Sequence, residues 1–140
     1  LENLPAATVF IGSAAVADFR PEHVVSHKVK KESPELLQMR LTRNPDIIAE
    51  VSSHRPAGCL VIGFAAESER VEENAREKLE RKHLDAIVAN PIGGEGSAYG
   101  AADSEATLLW PGGREYLGRR SKAAVAAAVF DLVGALRSRT

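Results

Sequence analysis

Three short apolar runs, separated by segments of helical period, constrain this chain more than any other feature. Ala7-Thr8-Val9-Phe10-Ile11 ends at Gly12-Ser13, and residues 59–64 and 85–89 have the same character. Each has the length of a strand and lacks polar alternation, the pattern of a strand buried on both faces. Between and after them lie helical segments. Residues 69–83 set Val71, Ala75 and Leu79 four apart on one face, with Glu72/Arg76 and Glu77/Arg81 spaced to pair at i,i+4 on the other. Asn44 can cap a helix with Pro45 at its first position and Ile47, Ile48 and Val51 as its apolar stripe. Residues 121–136 are rich in alanine and valine, and Ser121 is placed to cap them. Strands alternating with helices predict an α/β fold, a parallel sheet covered on both faces.

Two stretches break the alternation. Residues 36–43 set Leu37, Met39 and Leu41 against Gln38, Arg40 and Thr42, which predicts a half-exposed strand antiparallel to residues 24–31. Residues 107–117 read as a hairpin turning at Pro111-Gly112-Gly113. Residues 91–103 hold four glycines and read as a loop. No boundary divides residues 1–140, whose length suits one domain with a real core.

The net charge of −1 gives no global basic field of the kind that holds nucleic acid or anionic membrane, so any anion site must be local. The single Cys59 excludes an internal disulfide and a multi-cysteine metal site, which fits a reducing cytoplasm. Its apolar neighbours predict a buried strand cysteine. No apolar run reaches the roughly 18 residues needed to span a bilayer, and the sequence pattern leads to the expectation of no signal peptide. The chain begins at Leu1 without Met, as a processed or excised piece of something longer would.

Several short motifs put backbone geometry and charge together. In open parallel sheets, ligands bind beyond the carboxyl ends of the strands. Gly12-Ser13-Ala14-Ala15 follows the first strand, so its small residues would let a ligand approach the backbone. Asp18 is the nearest carboxylate for a metal ion or a ligand hydroxyl; the alternative is an ordinary turn capped by Asp18. Lys28-Val29-Lys30-Lys31 in extended backbone points Lys28 and Lys30 to one face and Lys31 to the other. One of them could reach a phosphate as a mobile charge, or all could guard an edge strand, with His27 a surface residue beside them. Asn44-Pro45-Asp46 offers a helix start with free N–H groups, although Asp46 opposes an anion. Phe64 at a strand end could stack on a base or complete the core. Lys78 and Lys82, one turn apart, could hold phosphates or pair with the surrounding acids. His54 and His83 read as incidental. No Ser-His-Asp order, zinc-type spacing or Walker lysine loop is present.

Taken in order, AAVADFRP at 14–21, KVKK at 28–31, NPDI at 44–47, GFAAE at 63–67 and ENAREKLERKHLDAIVAN at 73–90 resemble the synthetase domain of the bifunctional bacterial coenzyme A biosynthesis flavoprotein, a phosphopantothenate–cysteine ligase. The resemblance runs from about Phe10 to the final helix. It implies a three-layer, Rossmann-like, mostly parallel sheet with a β-extension at about 24–43 and a C-terminal hairpin. It also implies a two-step reaction. CTP activates the carboxylate of 4′-phosphopantothenate as an acyl-cytidylate with loss of pyrophosphate, and the amine of cysteine then displaces CMP. The family's nucleotide-binding positions fall on Gly12, Ser13, Ala14, Asp18, Lys28, Pro45, Asp46, Ile47, Ile48, Phe64, Lys78 and Lys82. Lys28 stands closest to the chemistry, Mg²⁺ accompanies CTP with unknown protein ligands, and the 24–43 extension pairs two subunits into a homodimer.

The departures are equally informative. Family members begin with a glycine-rich strand-turn-helix and an asparagine-containing segment that receive phosphopantothenate, and nothing in residues 1–140 corresponds to either. The flavin-binding decarboxylase half is absent, so FMN is not expected to bind. Pro91 follows Asn90 where an aspartate is usual. The rival readings are a dimeric nucleotide-binding module without catalysis, an ATP-using ligase of the same family, and an unrelated α/β interaction domain.

Overall fold

The computed structural model describes residues 2–26, 28, 39–93 and 103–138. It divides into two compact units, one made of Leu1–Ser13 with Ile48–Thr140 and the other of Ala14–Ile47.

In the larger unit the apolar runs form the strands they predict: β1 (Val9–Gly12), β4 (Leu60–Glu67) and β5 (Ala86–Pro91). β4 pairs in parallel with both neighbours, Val9 opposite Leu60 and Ile62 opposite Ala86. The hairpin β6 (Asp103–Trp110) and β7 (Gly113–Ser121) adds two antiparallel strands, giving the order β1-β4-β5-β6-β7. Side-chain alternation sorts these strands onto two cores. Val61, Ala65, Ile87, Ala89 and Leu109 face Val51 of α1 (Ile47–His54) and Ala75 and Leu79 of α2 (Val71–Arg81). Ile62, Val88 and Leu108 face Val125, Val129 and Val133 of α3 (Lys122–Arg137). Helices therefore cover both faces, as the alternation predicts.

Local signals account for most element ends. Ser121 Oγ accepts the Ala124 N–H at 3.2 Å and caps α3. Gly112 adopts φ +78 in the two-residue turn of the hairpin, a conformation glycine takes without strain. The hairpin is longer than residues 107–117 because β7 is an exposed edge strand carrying Arg114, Glu115, Arg119 and Arg120, so no apolar alternation marks its length. On α2 the Glu72–Arg76 pair closes at 3.1 Å, with Arg114 adding a second cation 3.3 Å from Glu72.

His83 has a definite structural role where the sequence reads it as incidental. Its N–H donates to the Glu80 carbonyl, and Leu84 N–H donates to that of Leu79 at 2.9 Å. Those two bonds, with His83 at φ 52, form a Schellman termination of α2, sealed by buried Leu79 and Leu84. An L side chain in the left-handed region costs about 1 kcal/mol that glycine does not. His83→Gly is therefore expected to stabilise the fold by about 1 kcal/mol, raising the calorimetric melting temperature by a few degrees.

The smaller unit holds β2 (Phe19–Pro21) and β3 (Leu41–Arg43), antiparallel with Phe19 opposite Arg43 and Pro21 opposite Leu41. For Leu41–Arg43 this corrects the predicted partner, residues 24–31, while the rest of the predicted pair, residues 29–31 with 36–38, lies outside the described residues. The alternation of Leu41 and Thr42 marks a strand but carries no information about its partner, and the chain before Val24 supplies it. His27 and residues 29–38 lie outside the described residues, as do residues 94–102 of the glycine-rich loop.

Asn44 is a second correction. Its Nδ2 donates to the Ala17 carbonyl at 2.7 Å, its Oδ1 accepts from Arg20 at 2.8 Å, and its N–H donates to the Asp18 carbonyl at 2.8 Å. With its carboxamide committed to the β2 side of the ribbon, Asn44 does not cap α1, which begins at Ile47 beyond Pro45 and Asp46. Ile47 is half exposed, and the buried side of α1 starts at Ile48.

Candidate functional site

Within the larger unit, several predicted residues gather at the carboxyl ends of β1 and β4. Gly12 ends β1 opposite Gly63 of β4. A Cβ on Gly12 would stand 3.0 Å from Ile48 Cδ1, and one on Gly63 only 3.2 Å from the same atom. The two glycines thus open the space that Ile48 fills, giving Gly12 and Ile48 a packing role beside any ligand role. β1 stops at this level, so the next residue, Phe64, has a strand neighbour only in β5, opposite Val88. It lies on the Ile62 face of the sheet and is 38% exposed, more than a core aromatic and enough for its ring to meet a planar ligand. Ser13, just beyond β1, is exposed.

Lys78 reaches the same end of the sheet from α2. Its ammonium forms an ion pair with Glu67, the last residue of β4. The other carboxylate oxygen of Glu67 accepts from Asn74 Nδ2 at 3.3 Å, and Asn74 also holds the Glu69 carbonyl at 2.9 Å. The Glu67 backbone is fixed as well, its carbonyl accepting the Ile92 N–H at 2.9 Å. Lys82, half-buried, follows α2 one turn after Lys78, and its N–H donates to the Lys78 carbonyl. Sequence reading marks both lysines but gives Glu67 no role. The one available signal was a charged residue ending an otherwise apolar strand.

The smaller unit carries the remaining predicted residues. Ala14, Asp18, Lys28, Pro45 and Asp46 are all exposed, and Ile47 is half exposed. The bond from Asn44 N–H to the Asp18 carbonyl brings Asp18 beside the segment that leads into Pro45 and Asp46. Of the KVKK motif only Lys28 is described, and Lys30 and Lys31 lie outside. At the start of α1, Glu50 in the first turn and Asp46 before it set negative charge where the backbone N–H groups would attract an anion.

Among the described residues no three His, Cys, Asp or Glu side chains group to hold a metal ion. A magnesium ion arriving with a triphosphate needs only one or two protein carboxylates, keeping phosphate and water oxygens for the rest. An exposed carboxylate such as that of Asp18 is suited to that. No described helix is long and apolar enough to cross a membrane.

Comparison with known proteins shows the family of the chain. Residues 1–136 match the family described as the DNA/pantothenate metabolism flavoprotein C-terminal domain. The coenzyme A biosynthesis bifunctional protein CoaBC of Haemophilus influenzae is 41% identical over 99% of this chain, and that of Escherichia coli is 40% identical over 78%. The chain spans 34% and 27% of those proteins' own lengths. Among solved structures, the C-terminal domain of a CoaBC superposes with a TM-score of 0.70 at 27% identity, covering 94% of this chain and 56% of that one. A Cab2 mutant in complex with phosphopantothenate-cysteine shares the fold with a TM-score of 0.72 at 15% identity, covering 96% of this chain and 46% of the other. The chain therefore belongs to the DNA/pantothenate metabolism flavoprotein C-terminal domain family.

Proposed function

We propose that this chain carries the nucleotide side of a phosphopantothenate–cysteine ligase of coenzyme A biosynthesis. The observation that supports it most is the 41% identity to a CoaBC over nearly the whole chain, with Gly12, Ile48, Phe64 and Lys78 set at the carboxyl end of the parallel strands. A carboxylate oxygen of 4′-phosphopantothenate attacks the α-phosphorus of CTP, the bond to the β-phosphate bridging oxygen breaks, and pyrophosphate leaves. The amine of cysteine then attacks the acyl carbon, loses a proton, and expels CMP.

In this reading Gly12, Ser13 and Ala14 admit the nucleotide to the backbone. Pro45 to Ile48 frame it, Phe64 offers a ring face, and Lys78 and Lys82 hold the triphosphate. Lys28 neutralises charge at the reacting phosphorus. Magnesium, carried in by CTP and met by Asp18, supplies further charge neutralisation. The ribbon β2–β3 turns Phe19, Pro21 and Leu41 to one side, with Phe19 52% and Leu41 57% exposed. A two-stranded ribbon cannot bury such a face by itself, which supports the 24–43 extension as the contact of a homodimer. These substrates and the free Cys59 fit a cytoplasmic setting.

Nucleotide binding is the test. Millimolar CTP is expected to raise the melting temperature of this chain by a few degrees. In the complete polypeptide, CTP with phosphopantothenate and Mg²⁺ should release pyrophosphate, and CMP should appear once cysteine is added. A larger shift with ATP would make it an ATP-using ligase; binding without pyrophosphate release would make it a nucleotide-binding module. No shift with either nucleotide removes the site.

A further inference from the structure

We infer that Glu67 is a positioning residue that holds the Lys78 ammonium ready for the phosphates of the nucleotide; this rests on the nucleotide reading of the site. Glu67 closes β4, the strand whose carboxyl end faces the predicted ligand, and its backbone is tied to Ile92. Its side chain is only 14% exposed, so the carboxylate is largely dry and needs a partner. Both partners come from one face of α2, Asn74 and Lys78, one i,i+4 step apart in sequence. The Lys78 side chain is 35% exposed, so it keeps contact with solvent while paired with Glu67.

An ammonium has three N–H donors. Glu67 engages one side of it and leaves the others for a phosphate oxygen. A lysine stem has four rotatable bonds, and an anion that must order it from solution binds more weakly than one that finds it already placed. Asn74 keeps the carboxylate from turning away by bonding its second oxygen. An ordinary exposed ion pair would need none of this support and would contribute little.

The test is a double-mutant cycle on CTP affinity, read by titration calorimetry. Glu67→Gln removes the charge and keeps the shape, and is expected to raise the Kd for CTP about tenfold. Lys78→Gln should raise it at least as much, and the double variant should be no weaker than Lys78→Gln alone, because the Glu67 effect passes through Lys78. An unchanged or lower Kd in Glu67→Gln, or effects that simply add, would overturn the inference even where wild type binds CTP. Failure of the wild type to bind CTP would instead overturn the nucleotide reading beneath it. Should Glu67→Gln not fold, Asn74→Ala frees one oxygen of the same carboxylate and carries the test. About a threefold rise in Kd that vanishes in the Lys78→Gln background is then expected, and a rise that persists there counts against the role.

Discussion

Replacing Lys28 by Gln in the complete polypeptide is expected to slow pyrophosphate release about 100- to 1000-fold, the usual loss when one preorganised charge is taken from a developing anion. Glutamine keeps a hydrogen-bond donor and most of the stem length, so the change isolates the charge. A carboxylate attacking an already anionic α-phosphate accumulates negative charge on the equatorial oxygens, and a lysine answers it with no proton to move. Lys28 is exposed, so its ammonium pays little desolvation before substrate arrives. Lys31→Gln is the control, since the sequence pattern predicts residue 31 on the opposite side from residue 28. Its effect should stay within about threefold, the range of a lost distant surface charge. The two rates should be compared by single-turnover measurement with CTP and phosphopantothenate in excess. If both substitutions slow the step equally, KVKK acts as a diffuse basic patch and Lys28 has no special role.

The fold was legible in the sequence wherever burial alone dictates residue type. Residues 60–63 of β4 and 86–89 of β5 lie between a core on each side, so each is apolar or glycine and the run announces itself. The stripe Val71, Ala75, Leu79 and the cap Ser121 are local in the same sense, fixed by neighbours three or four residues away. What could not be read depends on partners far along the chain. Asn44 looks like a helix cap until its carboxamide is seen to reach Ala17 and Arg20, 27 and 24 residues earlier. The partner of β3 is equally remote, and β7, exposed along most of its length, leaves no hydrophobic trace.

The candidate site divides along the same line. Gly12 ends a strand, Phe64 lies inside β4 just past the end of β1, and Lys78 stands on a regular helix, so their positions follow from period. Glu67 sits 11 residues from Lys78, and only the packing of α2 against the sheet makes them partners. Ile48 was predicted to touch nucleotide, and the structure adds a second reason for an isoleucine there: two facing glycines leave a hollow its side chain fills.

That hollow gives the largest stability effect expected from one substitution. Gly63→Val is expected to destabilise the fold by about 3 kcal/mol, the upper part of the range for overpacking a dense core, and to lower the melting temperature by about 10 °C. The first atom of any side chain at Gly63 would lie 2.7 Å from Leu84 Cδ1, 3.2 Å from Ile48 Cδ1 and 3.6 Å from Ile87 Cγ1. Leu84 is 5% exposed and Ile87 1% exposed, so neither has free space to turn into. Leu84 also closes the Schellman motif after α2 through its N–H, so displacing it strains the helix end that His83 already holds in the left-handed region. β-branched valine otherwise suits a strand better than glycine, so a loss measures the clash and not strand propensity. Truncating the obstructing side chain supplies the check. Gly63→Val combined with Leu84→Ala should be less destabilised than the sum of the two single changes by about 1 kcal/mol or more, since valine fills part of the space leucine vacates. Urea unfolding of the four proteins, compared at their midpoints, measures that difference. Strict additivity would mean that the sheet moves aside as a whole, and that the glycines facing Ile48 are not what brings α1 close to β1 and β4.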